Sequence, residues 1–399
     1  MIKMVELDSI AEIVRGVTFS KADGTSTPED GRLPVIRAGS IQSTLLVNEG
    51  QIWVPKEKVK SHQMIKKNDI IMCTSSGSAS LVGKCAIASE DWTGSFGAFC
   101  AGIRVDDKLC IPSYLYYFLS SPTFRNWSGA SDGANIKNIR ASELAKFQIP
   151  LPPLETQKQI AAILEKADQL RKDCQKMEQE LNSLAQSVFI EMFGDPVTNP
   201  KGWEVRSLKE FIVALRNGTS PSKDGQFDFK VLTLSAITRG HYNDSFWKLG
   251  TFNSEPEKTK KVTKNDFLIC RGNGNKKLVG RGVYPTQNRD DLVFPDTVIA
   301  ATLNLEFLDI RYFNALWSSD LIREHIESGA RTTNGTFKIN QKVINDAPIL
   351  FPPLELQKNF GSLIENITVL IEQNQKQLRE LDDNFNALMQ KAFKGELNL

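Results

Sequence analysis

Lys67 to Lys84 reads KNDIIMCTSSGSASLVGK, and Lys264 to Arg281 reads KNDFLICRGNGNKKLVGR, aligned without a gap at a separation of 197 residues. Self-similarity over so long a run constrains the architecture before any residue is given a role. Outward from it, PLPPLETQKQ from Pro150 matches LFPPLELQKN from Leu350, a separation of 200. Ser-Gly-Ala at Ser128 to Ala130 recurs at Ser328 to Ala330, and LDSIAEIVRG from Leu7 resembles LKEFIVALRNG from Leu208. The 399 residues are therefore one unit of about 200 written twice. A period this long predicts a two-lobed molecule with approximate two-fold symmetry, whereas solenoid repeats run at about 20 to 50 residues.

Each unit has the same internal order: a mixed segment of short β-type runs and Gly-containing turns, then a proline pair that opens a long helix. Proline is tolerated in a first helical turn because its missing N–H has no partner there in any case. The expected division is a first head over 1–150, a first helix over 151–194, a second head over 195–349 and a second helix over 350–399. Gly194 followed by Pro196 supplies a stop for the first helix. Along it, Ile160, Ile163, Ala167, Leu170, Cys174, Met177, Leu181, Leu184 and Val188 are spaced alternately by three and four, the pattern of a coiled-coil seam. In the second helix Phe360, Leu363, Ile367, Leu370, Asn374, Leu378, Leu381, Phe385, Leu388 and Ala392 continue the pattern with one extra step of four at Asn374. Such a stutter locally unwinds a coiled coil, and it implies that the repeat separation rises from 200 to 204 by Leu388. The fold class expected is α+β: a tandem duplication of a mixed head and a long helix, the helices pairing antiparallel. From Ile160 to Val188 the spacer would be roughly 43 Å long at about 1.5 Å per residue. The other arrangement is that each helix packs on its own lobe.

Composition excludes several classes. Hydrophobic residues are 41% and charged residues 24%, with 49 Lys and Arg against 47 Asp and Glu, which is globular and neither disordered nor uniformly basic. The longest uncharged stretch, between Lys108 and Arg125, carries two prolines and three serines and is too short for a membrane helix. Lys3, Glu6 and Asp8 stand where a signal peptide would be apolar, and six scattered cysteines fit a reducing compartment, so a cytoplasmic location is expected. Cysteines and the three histidines show no metal-ligand spacing, and no catalytic motif is present, so neither a metal site nor a catalytic site is expected.

Charge is distributed unevenly. The window Lys258 to Arg281 holds Lys258, Lys260, Lys261, Lys264, Arg271, Lys276, Lys277 and Arg281 against Asp266 alone, and Lys56 to Lys84 is a milder version. The first helix from Glu155 to Glu191 has seven acids and five bases. Local basic patches are the footprint of phosphate binding. Each window runs through a strand-like segment into a Gly-rich polar loop. The first loop resembles a phosphate-binding P-loop only superficially: Gly77 and Gly83 are separated by five residues instead of four, and Lys84 is followed by Cys85. Small hydrogen-bonding residues ending in Lys or Arg suit approach to a duplex instead, as they also suit a β-turn with no ligand. A second polar tract, GASDGANIKNIR from Gly129 and GARTTNGTFKIN from Gly329, offers Asn and Arg, the side chains that read adenine and guanine in the major groove. The expected DNA-binding set is Ser76, Ser78, Lys84, Lys137, Asn138 and Arg140 in the first head. In the second head it is Arg271, Asn273, Asn275, Lys276, Lys277, Arg281, Arg331, Thr332, Asn334 and Lys338.

The order head, IPLPPLETQKQIAAIL, helix, FIEMFGDPVTNPKGW, head, LFPPLELQKN, helix resembles the specificity subunits of type I DNA restriction-modification systems over essentially the whole chain. The resemblance implies that each head is a target recognition domain reading one half of a split sequence, and that the helices form an antiparallel spacer. It also implies that catalysis belongs to partners: two methyltransferase subunits using S-adenosylmethionine, and an endonuclease subunit that translocates DNA with ATP and magnesium. The chain itself is then a non-catalytic, cofactor-free subunit bound to double-stranded DNA. A coiled-coil adapter whose heads bind proteins is the alternative, and it predicts no salt-dependent affinity for duplex DNA.

Overall fold

A computed structural model of the chain describes residues 2–129, 137–333 and 335–397. It divides into two compact units, Met1–Lys176 with Gln375–Leu399, and Met177–Asn374. Each unit therefore holds a head together with one segment of each long helix.

In the first unit an antiparallel sheet runs in the order Ala11–Arg15, Cys100–Val105, Ile70–Cys73, Cys85–Ile87. Ile70–Cys73 is buried throughout, which is why it reads as an unbroken apolar run. Successive side chains of a strand face opposite ways. Ile70 and Met72 accordingly join Tyr114, Leu115 and Phe118 of the helix Pro112–Ser120, while Ile71 and Cys73 join Val14, Ile36 and Phe96 on the other side. The second unit repeats the arrangement with Ile212–Asn217, Val298–Leu303, Asp266–Cys270 and Gly282–Val283. Phe267 and Ile269 pack on Tyr312, Phe313 and Leu316 of the helix Ile310–Trp317, and Leu268 and Cys270 pack on Leu232 and Phe294. Each head carries a second sheet. In the first head it is Ile52–Pro55, Arg32–Ile36 and Ser95–Phe96; in the second it is Trp247–Phe252, Phe227–Leu232, Arg289–Val293 and Lys261–Val262. An antiparallel pair closes each head onto its helix, Lys3–Glu6 with Gln148–Leu151 and Val205–Ser207 with Pro348–Leu350.

The repeated proline motif opens the helices Leu154–Phe193 and Leu354–Lys394. Its glutamine is a latch. Gln157 accepts from the Ile111 N–H at 2.8 Å and donates to the carbonyls of Leu109 (3.3 Å) and Pro152 (2.8 Å). Gln357 repeats this with the Asp309 N–H (3.0 Å) and the carbonyls of Phe307 (3.3 Å) and Pro352 (2.9 Å). Both glutamines are buried, so their loss strands backbone groups away from water. Gln357→Ala is expected to destabilise the second unit by about 2 kcal/mol in chemical denaturation, since an orphaned buried polar group costs about 1–3 kcal/mol. A change under about 0.5 kcal/mol would show that water replaces the amide.

In the first unit the opening of the first helix meets the end of the second: Ile160, Ala161 and Leu164 share a core with Phe385, Met389 and Ala392. In the second unit Phe189 and Phe193 pack against Phe360, with ring centroids 5.5 and 5.4 Å apart. Start meets end in both, so the pairing is antiparallel. The phase of the seam differs from the sequence expectation. Leu170, Met177, Leu184, Leu363 and Leu370 are 46–51% exposed. The more buried positions lie one residue later, at Leu164, Arg171, Glu178 and Ala185, and at Ile364 and Ile371, whereas Leu378 and Phe385 hold the expected phase. Together with the expected Ile160, Ala167, Cys174, Leu181 and Val188, and with Phe360, Ile367, Asn374, Leu381 and Leu388, all of these positions form two regular four-three series 200 residues apart throughout. The expected stutter at Asn374 is therefore absent. Its appearance comes from taking Leu363 and Leu370 for seam positions in place of Ile364 and Ile371; in the first helix Arg171 occupies a seam position and conceals the phase. The Arg171 guanidinium lies 4.5 Å from the Phe385 ring centroid and bonds Asp168 (2.9 Å) and Asp382 (2.6 Å), so a charged residue covers apolar surface while its head group stays paired.

The first helix stops at Gly194, whose φ of 80° is the left-handed region glycine adopts freely. Lys201 donates to the carbonyls of Glu191 and Met192, and Trp203 Nε1 to that of Phe193, satisfying the helix end. Among the described residues, no helix is long and apolar enough to cross a membrane.

Candidate nucleic-acid interface

The fold brings the two polar tracts of each head together, although some 60 residues separate them in sequence. In the first head Ser75–Ser76, the continuation of the central strand, pairs with Lys137–Asn138. The Ile139 N–H donates to the Thr74 carbonyl at 2.8 Å, anchoring the second tract directly after that pair. In the second head Gly272–Asn273 pairs with Thr336–Lys338, which pairs in turn with Arg331–Thr333, and the Ile339 N–H donates to the Arg271 carbonyl at 2.9 Å. Neither partnership shows in the sequence, because strands of two or three residues have no periodicity to read.

The loops between strands are held from beneath. Gly83 and Gly280 have φ of 78° and 76°, and a Cβ at Gly280 would lie 2.4 Å from Ile326. Arg125 donates to the carbonyls of Val82 and Ser80, both at 2.7 Å, and Trp317 Nε1 donates to that of Gly280 at 2.8 Å. These supports were not among the expected site residues; their sequence signal was the shared LVG, which read only as a turn.

Of the expected contact residues, Ser78, Asn138 and Arg140 are exposed, and Ser76 and Lys84 are half-buried. Lys84 bonds Gln42 Oε1 at 3.1 Å, and Arg140 lies 3.8 Å from Glu143. Lys137 contributes its backbone to the pair; its side chain lies outside the described structure. In the second head Asn275, Lys277, Arg281, Arg331, Thr332 and Lys338 are exposed, while Arg271, Asn273 and Lys276 are half-buried. Asn334 lies outside the described residues. The Asn275 side chain accepts from the Lys277 N–H at 3.0 Å and caps the short helical turn Lys276–Leu278, which presents both lysines. Burial pulls the Arg323 pKa down; Glu327, paired with it at 2.9 Å, opposes the fall, and the neighbouring Arg281 charge adds to it.

The thiols beside the loops are poor nucleophiles: burial pushes Cys85 and Cys270 up to about 11. Among the described residues, no group of His, Cys, Asp and Glu could hold a metal ion. Each head presents a small sheet of short strands, two in the first and three in the second, bearing hydroxyls, amides and basic side chains.

The family described as the type I restriction modification DNA specificity domain matches residues 2–184 and again 200–382. The chain is 30% identical over 411 residues to the type I restriction enzyme EcoKI specificity subunit of Escherichia coli K12, covering 98% of this chain and 88% of that one. It is 24% identical to the MjaIX specificity subunit of Methanocaldococcus jannaschii, covering 89% and 84%. Its fold is similar to the crystal structure of a type I restriction-modification S subunit from M. genitalium, with a TM-score of 0.58 at 17% identity, covering 98% and 96%. A chain from a structure of type I assembly and conformational transition matches with a TM-score of 0.55 at 17% identity, covering 99% and 98%. The duplicated head-and-helix chain belongs to the type I restriction-modification DNA specificity family.

Proposed function

We propose that this chain is the non-catalytic, sequence-reading subunit of a type I restriction-modification complex, with one head for each half of a split, asymmetric DNA target. One observation carries the reading. The same strand-pair scaffold occurs in both heads, but it carries Ser75, Ser76 and Asn138 in one and Gly272, Asn273 and Lys338 in the other. Equal scaffolds with unequal side chains are what two readers of different half-sites require, since base edges are told apart by donor and acceptor pattern.

The paired helices then set the spacing of the half-sites, the expected recognition domains being residues 1–150 and 195–349. Two methyltransferase subunits dock on the helices, where the second unit exposes Met177, Leu184, Leu363 and Leu370. These partners supply S-adenosylmethionine and methylate an adenine turned out of the stack. An endonuclease subunit supplies ATP- and magnesium-dependent translocation. The complex works in the cytoplasm.

The test is methylome sequencing of cells expressing the chain with its methyltransferase, beside the Ser76→Ala/Asn138→Ala/Arg140→Ala variant. A split motif that degenerates in one half only supports one head per half-site. An unsplit motif, or degeneration of both halves together, overturns it. A protein-binding adapter would yield no motif at all.

A further inference from the structure

The strand alignment makes Thr74 and Phe99 of the first head equivalent to Arg271 and Thr297 of the second. In both, the residue after the central strand hangs from the same carbonyl. The Phe99 carbonyl accepts from the N–H groups of Thr74 (2.9 Å) and Ser75 (3.2 Å) and from Thr74 Oγ1 (3.1 Å). The Thr297 carbonyl accepts from the Arg271 N–H at 2.8 Å.

This junction holds an aromatic ring in water. Phe99 is 68% exposed, although its own carbonyl is held by three donors. Lone exposed hydrophobic residues are common, but this one also lines a groove of about 1030 Å³ together with the apolar Phe19 and Leu46 and the polar Ser75, Ser76 and Arg37. An apolar groove with a few hydrogen-bonding residues at hand is a combination that suits thymine, whose C5-methyl is the one apolar feature of the major-groove edge. The second head exchanges the pair. Where the first has Thr74 it has Arg271, and where the first has the ring it has Thr297. A guanidinium there matches guanine O6 and N7.

We propose that this junction is a base-reading position in each head, with Phe99 selecting a thymine in the first half-site and Arg271 a guanine in the second. The inference rests on the DNA-reading function proposed above and adds the class of base.

The assembled complex with its methyltransferase provides the test, using the wild-type chain, Phe99→Ala and Phe99→Leu. The wild-type motif should contain a thymine in the first half. Phe99→Ala should lower the preference for it by roughly tenfold, within the range for one mismatched base pair, and leave the second half unchanged. Phe99→Leu should retain part of the preference. Synthetic duplexes with uracil in place of that thymine, lacking only the methyl group, should bind the wild type more weakly and Phe99→Ala equally well. Equal sensitivity of both proteins to uracil, or an unaltered motif in Phe99→Ala, overturns the assignment. A wild-type chain that gives no split motif overturns the function on which it rests.

Discussion

Replacing Asp266 with alanine is expected to cost the second unit about 3–5 kcal/mol, the loss typical when one partner of a buried ion pair is removed and the other is left uncompensated. The carboxylate is fully buried at the start of the central strand. It is ion-paired to the Arg216 guanidinium, and it accepts from the hydroxyls of Thr263 and Thr302, both at 2.7 Å. Without it, a mostly buried guanidinium and two hydroxyls lose their common acceptor. The first head builds the same feature differently. Arg104 forks onto Asp69 with bonds of 2.9 and 2.7 Å, and the Lys66 N–H donates at 2.9 Å. Register places Thr302 where Arg104 stands, while Arg216 reaches the carboxylate from the neighbouring strand. The copies thus keep the buried carboxylate and exchange the strand that neutralises it. Urea denaturation of Asp266→Ala reads the cost, and Asp266→Leu/Arg216→Leu should recover a large part, because no unpaired charge then remains buried. A loss under about 1 kcal/mol in the single variant would mean that water reaches Arg216.

That exchange marks the limit of what the sequence could disclose. Asn-Asp before the central strand was visible in both copies, as Asn68-Asp69 and Asn265-Asp266, because a repeated residue needs no structure to be noticed. Its arginine is not, since Arg104 has Thr302 in its place in the other copy, and Arg15, which the repeat aligns with Arg216, lies exposed. The helices show the same division. Their existence, length and proline openings follow from local rules, and their antiparallel pairing from the duplication. The phase of the seam depends on tertiary contact: Arg171 belongs to it only because Phe385 and Asp382 receive its two ends. Candidate contact residues were found as two separate polar tracts, and only strand pairing across some 60 residues makes them one surface. Gln157 and Gln357 recur in the proline motif, but a latch onto carbonyls about 50 residues upstream leaves no periodic trace.

Replacing Lys276, Lys277 and Arg281 together with alanine is expected to weaken duplex binding roughly a hundredfold at near-physiological salt, and to lower the slope of log affinity against log salt by about 2–3. The slope follows from counterion release, about 0.9 per phosphate neutralised on B-form DNA, so three lost contacts set its upper limit. The geometry favours simultaneous contact. Lys276 and Lys277 share one turn capped by Asn275, and the Arg281 side chain folds back to the Lys277 carbonyl at 3.4 Å. Among the described residues none of the three has an acidic partner within ion-pair distance, so their charge is available to an external anion. The loop beneath them is set by Gly280 and Trp317, which the substitutions do not touch, so a change in slope reports contact and not unfolding. Phosphate contacts position a protein without reading sequence. The variant should therefore lose affinity for matched and scrambled duplexes in nearly equal proportion, whereas substitutions at Asn138 or Arg331 should discriminate between them. Lys276→Arg/Lys277→Arg should keep the wild-type slope, because charge and not side-chain identity determines it. An unchanged slope in the alanine variant would remove this loop from the interface, and a wild-type slope near zero would transfer the heads to the protein-binding alternative.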